Sequence, residues 1–213
     1  MSIELVIFDC DGVLVDSEVL TIEIEARVLT EMGLPMTPAD VVRQFMGKSD
    51  EKMQAELTAL IGSDAAIEFD RVASNEIMAA FQDRLQAVDG VAELVDRLHH
   101  REIATCVASS GSHKKMRFTL GKTGLWERFE GRIFSASEVQ HGKPEPDLFL
   151  HAAMQMNVAP QNCAVIEDSV YGVRGAVAAG MLALGYAGGL TPETVLRDAG
   201  ATTFHTMHGL DIN

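Results

Sequence analysis

Short runs of mainly apolar residues recur along the chain, and a polar residue or a glycine pair comes at the end of each run or just after it. The runs cover residues 5–8, 103–108, 163–166 and 181–186. Continuous apolar runs of this length are typical of strands that are buried on both faces, as in a parallel sheet. The pattern therefore predicts four parallel strands.

Helical periodicity fills the intervals between these runs. Residues 91, 94, 95 and 98 are apolar and share one helical face, with Asp89 as the predicted N-cap. Ser112 and Ser169 are the predicted N-caps of two further helices, and Gly180 is the predicted end of the last one. Alternation of strands and helices predicts an α/β fold with a Rossmann-like, doubly wound parallel sheet.

Residues 16–82 interrupt this alternation. Three helical stripes begin there at Leu20, Met53 and Phe69, and we find no strand pattern between them. The sequence therefore predicts an α/β core formed by residues 1–15 and 83–213. A small helical-bundle domain, residues 16–82, is predicted to be inserted after the first strand.

Acidic side chains follow two of the predicted strands, at the point where each strand ends. Asp9 and Asp11 come after the first run, and Glu167 and Asp168 come after the third. Ligands of open α/β sheets bind at the carboxyl ends of the strands, so we expect these groups to converge. Four carboxylates repel one another unless a cation neutralises them, and Mg²⁺ prefers oxygen ligands of this kind. The sequence predicts a magnesium site.

Other residues around this edge are suited to a phosphate group. Ser109 ends the second run and offers a hydroxyl group. Ser110 and Gly111 offer backbone N–H groups where the next helix begins. Lys143 lies between Gly142 and Pro144, and can serve as a fixed positive charge. Mg²⁺ bound by few carboxylates usually completes its shell with phosphate oxygens, so the two predictions agree.

Composition and charge narrow the possible partners. The chain has 213 residues, of which 47% are hydrophobic and 23% are charged, as is usual for globular proteins. Its net charge of −14 disfavours nucleic acids and membrane surfaces as partners. Cys10, Cys106 and Cys163 form no CxxC pair and are predicted to be reduced core residues. Without a signal-peptide pattern, we expect a cytoplasmic protein, and we take a monomer as the default.

The motifs, taken together, resemble those of the haloacid dehalogenase-like hydrolase superfamily in its phosphatase branch. Residues 9–13, DCDGV, match the family's first motif. Ser109 matches the second motif, Lys143 the third, and Glu167 with Asp168 the fourth. The helical insertion resembles the C1 cap of subfamily I. Chains of this kind include phosphatases of sugar phosphates, 6-phosphogluconate and phosphoglycolate.

The resemblance implies a Mg²⁺-dependent phosphomonoesterase that hydrolyses a small phosphorylated metabolite, a sugar phosphate or a sugar-acid phosphate. It implies that Asp9 is the nucleophile and forms an aspartyl-phosphate intermediate. Asp11 would be the general acid and then the general base. Ser109 and Lys143 would neutralise the phosphoryl oxygens.

The resemblance also implies the metal ligands and a residue that contacts the substrate. Mg²⁺ would be held by Asp9, the main-chain carbonyl of Asp11 and Asp168, with Glu167 binding directly or through water. The family has a specificity loop in the cap, which corresponds here to residues 47–49. Lys48 would therefore contact the substrate.

Two other functions share part of this pattern. A β-phosphoglucomutase has a histidine in the hinge helix and an arginine in the cap loop, where this chain has Thr21 and Asp50. A signalling receiver domain has a phosphorylatable aspartate in a Mg²⁺ pocket, but it has no helical insertion. Both differences favour the phosphatase.

A basic run follows the second predicted strand. It consists of His113, Lys114, Lys115 and Arg117. We interpret this run as a solvated helix face, and attraction of an anionic substrate is the alternative.

Overall fold

The computed structural model describes residues 2–45 and 50–212, and the chain divides into two compact units. One unit comprises Met1–Asp16 and Gln86–Asn213, and the other comprises Ser17–Leu85.

The larger unit contains, among the described residues, one sheet of six parallel strands. The strands are β1 (Leu5–Phe8), β2 (Ala104–Ser109), β3 (Ile133–Ser135), β4 (Cys163–Glu167), β5 (Leu182–Tyr186) and β6 (Thr202–Phe204). Their order is β3-β2-β1-β4-β5-β6, so the sheet grows outward in both directions from β1. This arrangement confirms the predicted doubly wound parallel sheet and places its switch point beside β1.

The two edge strands, β3 and β6, were not predicted. Each has only three residues, and β6 is at most half-buried. A strand with one solvated edge and so few residues has no continuous apolar run, so the hydrophobic pattern did not reveal it.

The smaller unit is entirely helical in its described residues. Its helices are α1 (Ser17–Glu31), α2 (Pro38–Phe45), α3 (Asp50–Ile61) and α4 (Ser63–Arg84). Helix α1 packs against α2 and α4, and α3 packs against α4. Leu29, Phe69 and Phe81 are buried in this bundle, and Arg27 of α1 forms an ion pair with Glu76 of α4.

Helices cover both faces of the sheet in the larger unit. They are α5 (Val91–His100), α6 (His113–Lys122), α7 (Trp126–Phe129), α8 (Asp147–Gln155), α9 (Val170–Ala178) and α10 (Glu193–Asp198). Ile7 of β1 packs in one buried cluster with Phe149 of α8 and Val173 of α9. On the other face, the ring of Phe8 meets that of Phe129 edge-on, with 5.8 Å between centroids.

Two of the three predicted helix caps are confirmed. The Ser112 hydroxyl accepts a hydrogen bond from the Lys115 N–H group, and the Ser169 hydroxyl accepts one from the Gly172 N–H group. The Asp89 prediction is wrong, because α5 begins after Gly90, which adopts a φ of 76° and leaves the helix without a side-chain cap. Glycine easily adopts this left-handed backbone conformation just before the first turn of a helix.

All three cysteines are free and buried, which confirms their predicted place in the core. Within residues 2–45 and 50–212, no helix combines the length and the apolar character that a membrane span requires.

Candidate active site

Three carboxylates meet at the carboxyl ends of β1 and β4, which are neighbours in the sheet. Asp9 follows β1, and its N–H group donates to the carbonyl oxygen of Ile166 over 3.0 Å. Glu167 ends β4, and Asp168 follows it. The three residues are buried, and their carboxylate oxygens lie within 4.8 Å of one another. Strand pairing therefore brings together residues that are far apart in the sequence.

Lys143 reaches this cluster from the loop before α8. Its Nζ donates to Asp9 Oδ1 over 2.5 Å and to Glu167 Oε1 over 2.7 Å. Its side chain is 6% exposed and lies over the ring of Phe149. The structure thus places Lys143 beside Asp9, as a phosphate-binding cation would need to be.

The cluster has more negative than positive charge. Burial raises the pKa of Asp9 to about 7; the positive charge of Lys143 opposes this shift, and the negative charge of Glu167 adds to it. Burial by itself would lower the pKa of Lys143, but Asp9 and Glu167 outweigh that effect and raise it. One ammonium group for three carboxylates favours the binding of a further cation.

Glu167 is fixed through both of its carboxylate oxygens. Besides the bond from Lys143, Oε2 accepts hydrogen bonds from the N–H group and the hydroxyl of Ser169, each over 2.9 Å. A Cβ atom at Gly172 would lie 1.8 Å from Oε1, so only glycine leaves room for this carboxylate. These contacts orient Glu167 toward Lys143 and Ser169, which favours contact with a metal through water.

Asp168 lies against a second glycine. A Cβ atom at Gly12 would lie 2.1 Å from Asp168 Oδ2, and Gly12 has a φ of 76°. The loop after β1 therefore approaches this carboxylate more closely than a side chain would permit. Clustered carboxylate oxygens with one adjacent lysine fit a hard divalent cation such as Mg²⁺.

The carboxylate of Asp11 is directed to a different partner. Lys115 Nζ, from α6, donates to Asp11 Oδ2 over 2.8 Å. Burial would lower the pKa of Lys115, but the charge and hydrogen bond of Asp11 outweigh it and raise the pKa. Lys115 is thus engaged with Asp11 although its side chain is 40% exposed, whereas Lys114 lies on the exposed face of the helix.

The turn after β2 lies beside Asp11. Ser109 is buried, and its Oγ accepts a hydrogen bond from the Gly111 N–H group over 3.0 Å. A Cβ atom at Gly111 would lie 3.7 Å from Asp11 Oδ2. Ser110 is exposed, and Lys48 lies outside the described residues.

Several contacts that support this turn were not predicted. The Ser135 hydroxyl donates to the Gly111 carbonyl oxygen over 2.8 Å. Glu138 accepts hydrogen bonds from the Ser135 N–H group over 2.6 Å and from His113 Nε2 over 2.8 Å. A third hydrogen bond to Glu138, from His151 Nε2, is 3.2 Å long. The only sequence signal was a serine followed three residues later by a glutamate, which is a capping-box pattern.

Comparisons with known proteins agree with this geometry. The family model for haloacid dehalogenase-like hydrolases matches residues 3–180. The 6-phosphogluconate phosphatase of Escherichia coli is 34% identical over 84% of this chain and 80% of its own. A phosphorylated carbohydrates phosphatase of Thermotoga maritima is 32% identical over 93% of this chain and 92% of its own.

A solved structure shows the same fold. A haloacid dehalogenase-like protein of unknown function from Agrobacterium tumefaciens superposes with a TM-score of 0.87 at 33% identity, over 97% of this chain and 95% of its own. The family match, these relatives and the shared fold confirm the resemblance stated from the motifs. The chain belongs to the haloacid dehalogenase-like hydrolase family and is an enzyme of its phosphatase branch.

Proposed function

We propose that this protein is a Mg²⁺-dependent phosphomonoesterase that acts on a small sugar phosphate or sugar-acid phosphate through a phosphorylated Asp9. The observation that carries the proposal is the position of Lys143, which bonds to both Asp9 and Glu167 where β1 and β4 end. Ser109, which ends the neighbouring strand β2, supplies a hydroxyl on the side toward Asp11. These groups suit a phosphoryl group whose charge grows on its oxygens during transfer.

The reaction requires two displacements at phosphorus. An Asp9 carboxylate oxygen attacks phosphorus and forms an acyl phosphate, while the bond between phosphorus and the leaving oxygen breaks. Asp11 donates its proton to that oxygen, so the alcohol leaves neutral. Asp11 then takes a proton from water, whose oxygen attacks phosphorus. The bond from phosphorus to Asp9 breaks, and inorganic phosphate is released.

The metal would be held by Asp9, Asp168 and the main-chain carbonyl of Asp11, with Glu167 acting through water. Bound Mg²⁺ supplies positive charge to the phosphoryl oxygens. Lys143 adds a second positive charge and also keeps Asp9 oriented, because its short bond to Oδ1 fixes that carboxylate.

We assign the helical unit, Ser17–Leu85, as a C1 cap that reads the leaving group of the substrate. Lys48 in its loop would contact an anionic part of that group. The named activities of the two relatives, on 6-phosphogluconate and on phosphorylated carbohydrates, support a sugar-derived substrate. Hydrolysis is preferred to mutase activity because Thr21 and Asp50 replace the histidine and arginine of that group.

A phosphate-release screen tests the proposal. About a hundred phosphorylated metabolites would be offered with Mg²⁺, and ranked by kcat/KM. We expect turnover of sugar phosphates or sugar-acid phosphates well above that of nucleotides. Folded, Mg²⁺-loaded protein that released phosphate from none of them would contradict the proposal. Conversion of β-glucose 1-phosphate to glucose 6-phosphate without phosphate release would instead show a mutase.

A further inference from the structure

The ion pair between Lys115 and Asp11 joins two residues that are 104 positions apart in the sequence. The Lys115 side chain is 40% exposed and that of Asp11 is 22% exposed, so the pair lies at the rim of the site and is only partly solvated. An ion pair this exposed adds little to stability. The ion pair is important for a different reason: it holds the carboxylate of Asp11 at the edge of the candidate site.

The backbone of Lys115 is held by the start of α6. The hydroxyl of Ser112 caps this helix by accepting a hydrogen bond from the N–H group of Lys115 over 3.3 Å. The aliphatic part of the side chain then passes the turn after β2, where its Cδ would lie 3.6 Å from a Cβ atom at Gly111. The Lys115 side chain therefore passes within van der Waals distance of this turn on its way to Asp11.

A bond to Asp11 Oδ2 sets the direction of the whole carboxylate. It restricts rotation about the Cβ–Cγ bond of Asp11, and with it the direction in which Oδ1 points. Proton transfer to a leaving oxygen, and later from water, requires the carboxyl group within hydrogen-bond reach of the reacting atoms. A displacement of about 1 Å in such a group costs up to about 100-fold in rate.

We propose that Lys115 is a positioning residue that holds Asp11 in the orientation needed for both proton transfers. The inference rests on the proposed function, because it acts only through the role of Asp11. Lys115 is not expected to contribute to binding of the phosphoryl group, which is the proposed role of Lys143 and Ser109. Its loss should therefore lower kcat and leave KM nearly unchanged.

Two esters with different leaving groups separate this role from a structural one. Glucose 6-phosphate needs a proton on its leaving oxygen, whereas p-nitrophenyl phosphate releases a stable anion. The Lys115→Met variant keeps the length of the side chain but removes its charge. Lys114→Met is the matched control, because Lys114 is the exposed neighbour on the same helix. Lys115→Arg keeps a cation that can reach Asp11.

We expect Lys115→Met to lower kcat for glucose 6-phosphate by about 10- to 100-fold, with KM changed by less than about threefold. Its first turnover of p-nitrophenyl phosphate should remain near the wild-type rate, followed by slow turnover because the second proton transfer is impaired. Lys115→Arg should recover much of the lost kcat, and Lys114→Met should match the wild type. Circular dichroism and thermal unfolding of each variant check the fold.

Three results would overturn the inference while wild-type activity stays intact. They are Lys115→Met behaving like Lys114→Met, a rise in KM without a fall in kcat, and equal losses with both esters in the first turnover. If wild-type protein released phosphate from neither these esters nor any metabolite of the screen in the presence of Mg²⁺, the proposed function would fail and the Lys115 inference with it.

Discussion

At the scale of single residues, two glycines define the space around the carboxylate cluster. Gly172 and Gly12 lie where a Cβ atom would overlap Glu167 and Asp168 respectively. Gly172 is in the first turn of α9, where alanine would ordinarily be the better helix former. The need to accommodate the Glu167 carboxylate explains why glycine, a poorer helix former, occupies this position.

Gly172→Ala should lower kcat/KM about tenfold or more, because Glu167 must move and would release both Lys143 and Ser169. Gly121→Ala is the matched control: Gly121 is in α6, and a Cβ atom there would meet no atom within 4 Å. The control should keep full activity and gain about 0.5–1 kcal/mol in stability. Steady-state kinetics and thermal unfolding of both variants test this prediction. Equal kcat/KM values for the two variants would refute the explanation.

The sequence predicted the residues of the site better than their contacts. Asp9, Glu167 and Asp168 could be identified because they follow apolar runs, and parallel strands bring such ends together. The partner of Asp11 could not be identified this way. Lys115 is one of several cations in a row, and the packing of α6 against β3 and α7, not local sequence, determines which one reaches Asp11.

At the scale of elements, Glu138 connects the end of β3 with the helices on either side. It accepts hydrogen bonds from Ser135, from His113 of α6 and from His151 of α8. Burial acts to raise the pKa of Glu138, but these hydrogen bonds outweigh it and lower the pKa. The ionised carboxylate therefore stabilises the folded state at neutral pH.

Glu138→Gln should lower the free energy of unfolding at pH 7 by about 1 kcal/mol. Because the folded pKa is depressed, the wild-type advantage is present above the unfolded pKa of about 4.3 and is lost as pH falls through the folded value. The difference in the free energy of unfolding between variant and wild type should thus shrink below about pH 4. Denaturant unfolding from pH 7 to pH 3 measures it, with the exposed Glu127→Gln as control. A constant gap would contradict the assignment.

The hydrophobic pattern predicts the central elements of the sheet better than those at its edge, for a physical reason. The central strands β1, β2 and β4 are almost entirely buried, and β5 is buried at its centre, so their residues form mainly apolar runs. The edge strand β6 and the short helix α2 bury few residues, and their patterns were too short to recognise.

At the scale of the whole molecule, the net charge of −14 is compatible with an anionic substrate because the site has its own cations. Lys143 and Lys115 lie within or beside it, and Mg²⁺ would add two further positive charges.

We expect the cap loop to supply discrimination between substrates. Lys48→Ala should lower kcat/KM by about tenfold for a sugar-acid phosphate and much less for a neutral sugar phosphate. Competition kinetics with both esters measure this, and equal losses would argue against a role in recognition.

In the proposed mechanism, Asp9 attacks phosphorus in a Mg²⁺-dependent reaction. The most direct measurement is the phosphate-release rate of the wild type and of Asp9→Asn, each with Mg²⁺ and with a chelator, and with the exposed Asp70→Asn as control. We expect Asp9→Asn to lose about 10⁴-fold or more in kcat, chelation to stop the wild type, and Asp70→Asn to be unaffected. Phosphate release by Asp9→Asn at a rate near that of the wild type would contradict it.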